Sequence, residues 1–429
     1  MARRNSFIVS VFLVFILATS GMMFGQRVID LDKVWGDMRV LGIDGDILGD
    51  GGDQSGYAVA SGDINGDGFM DIIIGARWAD PGGRSYAGET YVIFGSSSPP
   101  STIDLSTESA DITVCGAAAY DCSGSAVASG DVNSDGCDDI IIGAPSLFRA
   151  GRVYVIFGSS NPLSTIDLGT TSADITVCGA STYDCSGSAV ASGEVNGNGF
   201  DDIIIGAPNA DPGSPARTDA GETYVIFGDS YPSPPYTIDL STTPADITVY
   251  GDDAGDKSGS AVASGDVKGD GYDDIIIGAP LASPAGESYV IFGSDSPPSE
   301  IDLSTESADI TVYGDDAGDN SGSAVAFGDI NGDGYGDIII GAPLADAAYR
   351  TDVGATYVIF GSYLLFPPLT IYLDIHPADF TIYGDFFDDK SGCPVASGDV
   401  NGDGYDDLII GAPRANPSGG ADAGETYVI

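Results

Sequence analysis

The stretch SGSAVASGDVKGDGYDDIIIGAP, residues 258–280, decides the fold because it recurs, with variations, six times along the chain. The acidic residues that open its GDG-type loop are Asp63, Asp131, Glu194, Asp266, Asp329 and Asp399. Subtraction gives spacings of 68, 63, 72, 63 and 70 residues between successive copies. That period exceeds the about 40–45 residues of a WD40 blade and the about 50 of a kelch blade. Each unit holds several short runs rich in Val, Ile, Tyr and Phe, bounded by Gly, Asp or Pro. In the fourth unit these are DITVYG (246–251), SAVASGDV (260–267), DDIIIGAP (273–280) and ESYVIFG (287–293), preceded by TIDL (237–240). No comparable stretch carries the apolar period of a helix, so the chain reads as all-β. Four short strands per repeat make one blade of a β-propeller, a ring of typically about four to eight blades.

The two ends bear on closure. RVLGID (39–44) resembles the ITVYG run, and the last unit stops at Tyr427-Val428-Ile429. The expectation is six visible four-stranded blades, closed by an N-terminal strand that completes the last one. Seven blades are expected if the chain continues beyond residue 429. Closure removes exposed strand edges.

A formal net charge of −49 over 429 residues is the main compositional fact. A hydrophobic fraction of 43%, with 21 Tyr and 17 Phe, argues for a packed core rather than disorder. The 62 Gly and 23 Pro suit many tight turns. Such a charge repels nucleic acid and anionic membrane surfaces, so neither is expected as a partner beyond a possible N-terminal anchor. Divalent cations are the natural counter-charge. At the N-terminus, Arg3 and Arg4 precede an apolar run from Phe7 to Leu17 and the small residues Ala18-Thr19-Ser20. Residues 1–25 read as a signal peptide, with an uncleaved anchor as the alternative. Either places the chain outside the cytoplasm, secreted or at the cell surface.

The loop from Asp63 to Asp71 has the pattern D-x-N-x-D-G-x-x-D. Calcium takes six to eight oxygens, and alternate side chains of a tight loop converge on one ion. Asp63, Asn65, Asp67 and Asp71 supply side-chain oxygens here, and Phe69 its backbone carbonyl. The second loop offers Asp131, Asn133, Asp135, Cys137 and Asp139. The fifth offers Asp329, Asn331, Asp333, Tyr335 and Asp337, and the sixth Asp399, Asn401, Asp403, Tyr405 and Asp407. The third, Glu194, Asn196, Asn198, Phe200 and Asp202, carries Asn198 in place of a fifth-position Asp and so less charge. The fourth, Asp266, Asp270, Tyr272 and Asp274, places Lys268 at position three and is expected to be weak or empty. About five or six calcium ions are therefore expected. An EF-hand is excluded, because position twelve of the first loop is Ile74, inside a β-like run. Acidic turns such as Asp252, Asp253 and Asp256 are left over and read as solvated.

Phe94-Gly95 and Gly143-Ala144-Pro145, with their counterparts, bracket each loop region. This pattern resembles the FG-GAP repeat of the integrin α-chain N-terminal propeller, found also in bacterial exported proteins. The resemblance covers essentially everything after residue 28. It implies one propeller over residues 28–429, in units of approximately 28–98, 101–162, 165–234, 237–298, 300–367 and 370–429. It implies calcium loops on one face and a role in adhesion or extracellular recognition, with a protein or glycan as ligand. The integrin propeller has seven blades, and the first unit here reads Gly75-Ala76-Arg77 instead of Gly-Ala-Pro. No motif anchors that family's ligand-binding loops, so none is carried over. Blade-joining loops differ in length around 209–220 and 344–353, where binding specificity often resides.

Cys115 with Cys122, and Cys178 with Cys185, occupy positions that carry Tyr and Lys or Asn in the later units. Joint replacement in two neighbouring units is what two local disulfides require. Cys137 and Cys393 read as lone core substitutions. The single histidine, His376, has no nucleophile motif beside it, and the paired carboxylates are absorbed by the calcium positions. The chain therefore reads as a binding module and not an enzyme. A non-catalytic propeller portion of a larger calcium-dependent secreted enzyme and a passive surface-layer protein are the alternatives.

Overall fold

A computed structural model describes residues 40–42, 52–213, 215–231, 233–347, 349–416 and 424–429; the expected leader, residues 1–25, lies outside these. The described residues form six sheets arranged as the blades of a β-propeller and a separate two-stranded pair, with one 3-10 turn at Pro81–Gly83. The second blade shows the plan. Its inner strand Ala126–Gly130, second strand Asp139–Ala144, third strand Arg152–Ile156 and outer strand Ile175–Cys178 run antiparallel. A fifth strand, Tyr236–Asp239, adds in parallel to the outer one.

The second strands explain the arrangement. DIIIGA is apolar without alternation, as a strand covered on both faces must be. All six residues of Asp139–Ala144 are buried, as are those of Asp71–Ala76, Asp202–Ala207, Asp274–Ala279 and Asp337–Ala342. Each core lies between two sheets. Ile141, Val153, Val155 and Val177 of blade two, for example, pack on Val190, Ile203, Ile205 and Tyr224 of blade three.

Blades and sequence units are out of phase. The outer strand of blade two comes from the third sequence unit, and its fifth strand from the boundary with the fourth. Every complete sheet is thereby assembled from three consecutive units, which interlocks the ring. The expected closing strand is placed differently. Val40–Leu41 pairs in parallel with Ile103–Asp104, and the sixth sheet ends with three strands, Val395–Gly398, Asp407–Ala412 and Glu425–Val428, among the described residues. Its second strand alternates buried and half-buried positions where the others are wholly buried. Tyr57 and Val59 on the first inner strand are about half exposed.

Two contacts hold neighbouring blades together. Ser129 Oγ donates to Ser61 O at 2.7 Å and Ser192 Oγ to Ser129 O at 2.5 Å. Ser264 to Ser192 and Ser397 to Phe327 repeat this link between inner strands. The Gly that opens the Gly-Ala-Pro run, or Gly-Ala-Arg in the first unit, provides the second in five blades. A Cβ on Gly206 would run into the carbonyl of Gly259, which opens the next blade, and Gly75, Gly143, Gly278 and Gly341 face the same obstacle. Gly206→Ala is expected to cost about 1–3 kcal/mol through overpacking, read from the shift of the denaturation midpoint. An unmoved midpoint would contradict this account of the motif.

Candidate functional site

The six GDG-type loops link inner and second strands at one end of each blade. In the first, Asp63 folds back over its own loop, with Oδ1 accepting Asp67 N–H at 3.0 Å and Oδ2 accepting Gly68 N–H at 2.8 Å. Asp67 Oδ1 then accepts Phe69 N–H at 2.9 Å. Gly68 allows the turn with φ near 87°. The same folding occurs around Asp131, Asp266, Asp329 and Asp399. The longer Glu194 reaches the N–H groups of Gly197, Asn198 and Gly199.

The ninth-position aspartates of the first five blades are fully buried staples, while Asp407 of the sixth is half-buried. Asp139 Oδ2 accepts Val132 N–H at 3.1 Å, and Oδ1 accepts Gly158 N–H at 2.9 Å. Asp71, Asp202, Asp274 and Asp337 bind their own loop and the Gly of the Phe-Gly pair in the same way. Each therefore ties the GDG-type loop to the end of the third strand, which gives the Phe-Gly motif a physical role. The third-position residues Asn133, Asn196, Asn331 and Asn401 donate from their amide nitrogens to these carboxylates at 3.0–3.3 Å. Positions three and nine are thereby hydrogen-bonded to one another within the loop.

Burial dominates the electrostatics. It pushes Asp71 and Asp337 up to about 6, Asp202 and Asp274 to about 7 and Asp139 to about 8, against the pull of the backbone N–H groups. A cation beside these groups relieves that cost. In the fourth loop the chain supplies one itself. Lys268 Nζ lies 2.6 Å from Asp270 Oδ2, over the Phe292 ring, and its charge lowers the pKa of Asp274. Among the described residues no three His, Cys, Asp or Glu side chains are gathered closely enough to hold a metal ion by themselves. The donor set includes Asn side chains and backbone carbonyls as well, all hard oxygens of the kind calcium takes.

Position eight has a role that the loop pattern alone did not reveal. Asp138 Oδ2 accepts Asp63 N–H from the preceding blade at 2.7 Å, and Asp138 N–H donates to Asp63 O at 3.0 Å. Asp201 with Asp131, Asp273 with Glu194, and Asp406 with Asp329 repeat the pair. Neighbouring loops are therefore hydrogen-bonded to one another along the ring. The doublet Asp-Asp before the second strand was the available signal. The seventh-position side chains do likewise, with Cys137, Tyr272, Tyr335 and Tyr405 packed on Gly66, Gly197, Gly269 and Gly332 of the loop before. Cys137 is thus a half-buried loop residue, not a core one, and Cys393 is half-buried too.

The expected disulfides do not form. All six cysteines are free, and the paired positions have separate partners. Cys115 Sγ lies 3.5 Å from Glu89 of the adjacent strand, while Cys122 is buried at the approach to the next inner strand with φ near 54°. Cys185 Sγ accepts from Asn209 at 3.1 Å. The intervening loop directs the two side chains to different neighbours. Asp256 is likewise corrected: it is buried, not solvated, as are its counterparts Asp121, Asp184, Asp319 and Asp389. His376 is exposed in a turn.

Similarity to known proteins follows the same repeats. The chain is 30% identical over 307 residues to phosphatidylinositol-glycan-specific phospholipase D of Bos taurus, covering 68% of this chain and 35% of that protein. The rat protein of that name is 28% identical over 390 residues, covering 83% and 43%. Integrin alpha pat-2 of Caenorhabditis briggsae is 34% identical over 234 residues, covering 52% and 18%. The chain thus spans less than half the length of each of these relatives. The FG-GAP repeat signature matches residues 55–93, 123–156, 186–226, 258–291, 321–359 and 395–429, more than half of the chain. Each matched segment runs from the inner strand or its approach, through the stapled loop, to the third strand; the chain belongs to the FG-GAP repeat family, and its propeller is integrin α-like.

Proposed function

We propose that this chain is an exported, calcium-loaded propeller that acts in adhesion or extracellular recognition, binding and not catalysing. The observation that carries the calcium reading is Lys268. In the one loop whose sequence contains a cationic side chain, the ammonium settles among the carboxylates. Elsewhere that position holds an Asn oxygen donor, and the surrounding charge asks for a divalent ion instead. At millimolar extracellular calcium, sites of about 10⁻³–10⁻⁴ M affinity contribute about 1 kcal/mol each. Integrin α relatives and the putting together of rigid blades with variable loops support recognition as the role. A second reading, the non-catalytic propeller portion of a larger secreted enzyme, is supported by the phospholipase D relatives, of which this chain matches only part.

Lys268→Asn should convert the fourth loop to the ligand set of its neighbours. Calorimetric calcium titration is expected to count one more ion than in the parent chain, and an unchanged count would contradict the role given to Lys268. The recognition reading is tested by arraying extracellular-matrix proteins and glycans against the purified chain in 1 mM calcium and in excess chelator. Retention in calcium and release in chelator is expected; no retention in either buffer overturns it.

A further inference from the structure

The hydrogen bonds between neighbouring GDG-type loops pass through a residue that touches two loops at once. Position eight stands between position seven, whose backbone carbonyl is a ligand in the calcium reading, and position nine, whose carboxylate is another. From there it reaches back to position one of the preceding loop. Asp201 Oδ2 accepts Asp131 N–H at 2.9 Å, while Asp201 N–H donates to Asp131 O at 3.1 Å. Asp138 holds Asp63 in the same two-way clasp at 2.7 and 3.0 Å, and Asp273 holds Glu194 at 3.0 and 2.9 Å. Asp406 holds Asp329 at 2.9 and 3.0 Å. The clasped residue is the centre of its own loop, since the carboxylate of Asp131 gathers the N–H groups of Asp135 and Gly136.

The series of clasps is interrupted once. Asp138, Asp201 and Asp273 join loops one to four, and Asp406 joins loops five and six. Between loops four and five, position eight is Gly336, which keeps a backbone bond to Asp266 O at 2.8 Å but offers no carboxylate. Loop four, beside this gap, is also the loop that carries its own cation, Lys268. The calcium loops are thereby divided into a set of three, loops one to three, and a set of two, loops five and six.

We propose that calcium is taken up cooperatively within each set and independently between the sets, with the position-eight aspartates as the positioning residues that carry the coupling. This rests on the calcium reading above. An ion in loop three fixes Phe200 and Asp202, and so fixes Asp201 between them. Asp201 then holds the backbone of Asp131, and loop two is ordered before its own ion arrives. The first ion bears the ordering cost of the pair, so the second binds more tightly. By linkage the effect runs equally in the other direction. The clasp carboxylate also places a negative charge between two dications, which offsets their repulsion. A glycine at position eight does neither.

The test is a calorimetric calcium titration of the full chain, read for its Hill coefficient. Independent sites of unequal charge, such as loop three with Asn198, give a coefficient below unity; the coupled sets give one above it. Hydrogen–deuterium exchange across the same titration reads each loop separately. Asp201→Ala should lower the coefficient and raise the calcium concentration that protects residues 131–137 about fivefold or more, although Asp201 belongs to the next loop. Protection of residues 399–407 should not move. Asp201→Asn, which keeps the accepting oxygen, should recover most of the loss. Gly336→Asp supplies the missing clasp at a position without positive φ, where a Cβ would stand 3.2 Å from Asp266 O. Combined with Lys268→Asn it should raise the coefficient above that of the parent chain, and this arm serves if Asp201→Ala does not fold. Calcium uptake with a parent coefficient at or below unity, loop-two protection indifferent to Asp201→Ala, or no gain from the added clasp would each overturn the coupling and leave the calcium reading standing. No uptake in any loop would overturn both.

Discussion

The structure depends on the ninth-position aspartate of its first five blades. A fully buried carboxylate such as Asp139 accepts one N–H from the GDG-type loop and one from the Gly of Phe-Gly, so that loop, second strand and third strand become one unit. Charge-assisted bonds of this kind are among the stronger ones a protein makes, but the buried charge itself is costly. Burial, with the negative charges of Asp135 and Asp131 beside it, drives Asp139 toward neutrality. The fold therefore places its most-used connector where it needs positive charge beside it, on a chain that carries −49 overall.

From this connector the remaining order spreads sideways. The eighth-position aspartate bonds to the loop of the blade before, the seventh-position ring packs on that loop's glycine, and the Gly of Gly-Ala-Pro admits the backbone of the blade after. Fifth strands borrowed from later units bind the outer rim. Met70 and Gly336 mark the limits of the system. At position eight of the first and fifth loops they offer no carboxylate, and only the backbone bond from Gly336 to Asp266 remains at the latter. A ring built from such nearest-neighbour links is stabilised additively, and what stiffens one loop stiffens its neighbours.

Much of this was legible in the sequence. The strands of the fourth unit fall where its Val/Ile/Tyr runs predict, since turn residues and apolar runs are local signals. The GDG-type turns between inner and second strands were legible for the same reason. What escaped was non-local. A repeat has no intrinsic phase, so the sequence did not say that the ITVC and ITVY runs join the preceding blade. The Cys pairs sit at a plausible spacing, but the intervening turn sends Cys115 to Glu89 and Cys122 into the core approach. Asp256 looked like a solvated turn because only packing reveals its burial.

The central claim is that cations in the stapled loops hold the blades. Scanning calorimetry of the full chain in 1 mM calcium and in excess chelator tests it most directly. With about five occupied sites, the account predicts a melting temperature higher by about 5 °C or more in calcium. Identical melting in the two buffers would contradict it and leave the carboxylate staples to stand on their hydrogen bonds alone.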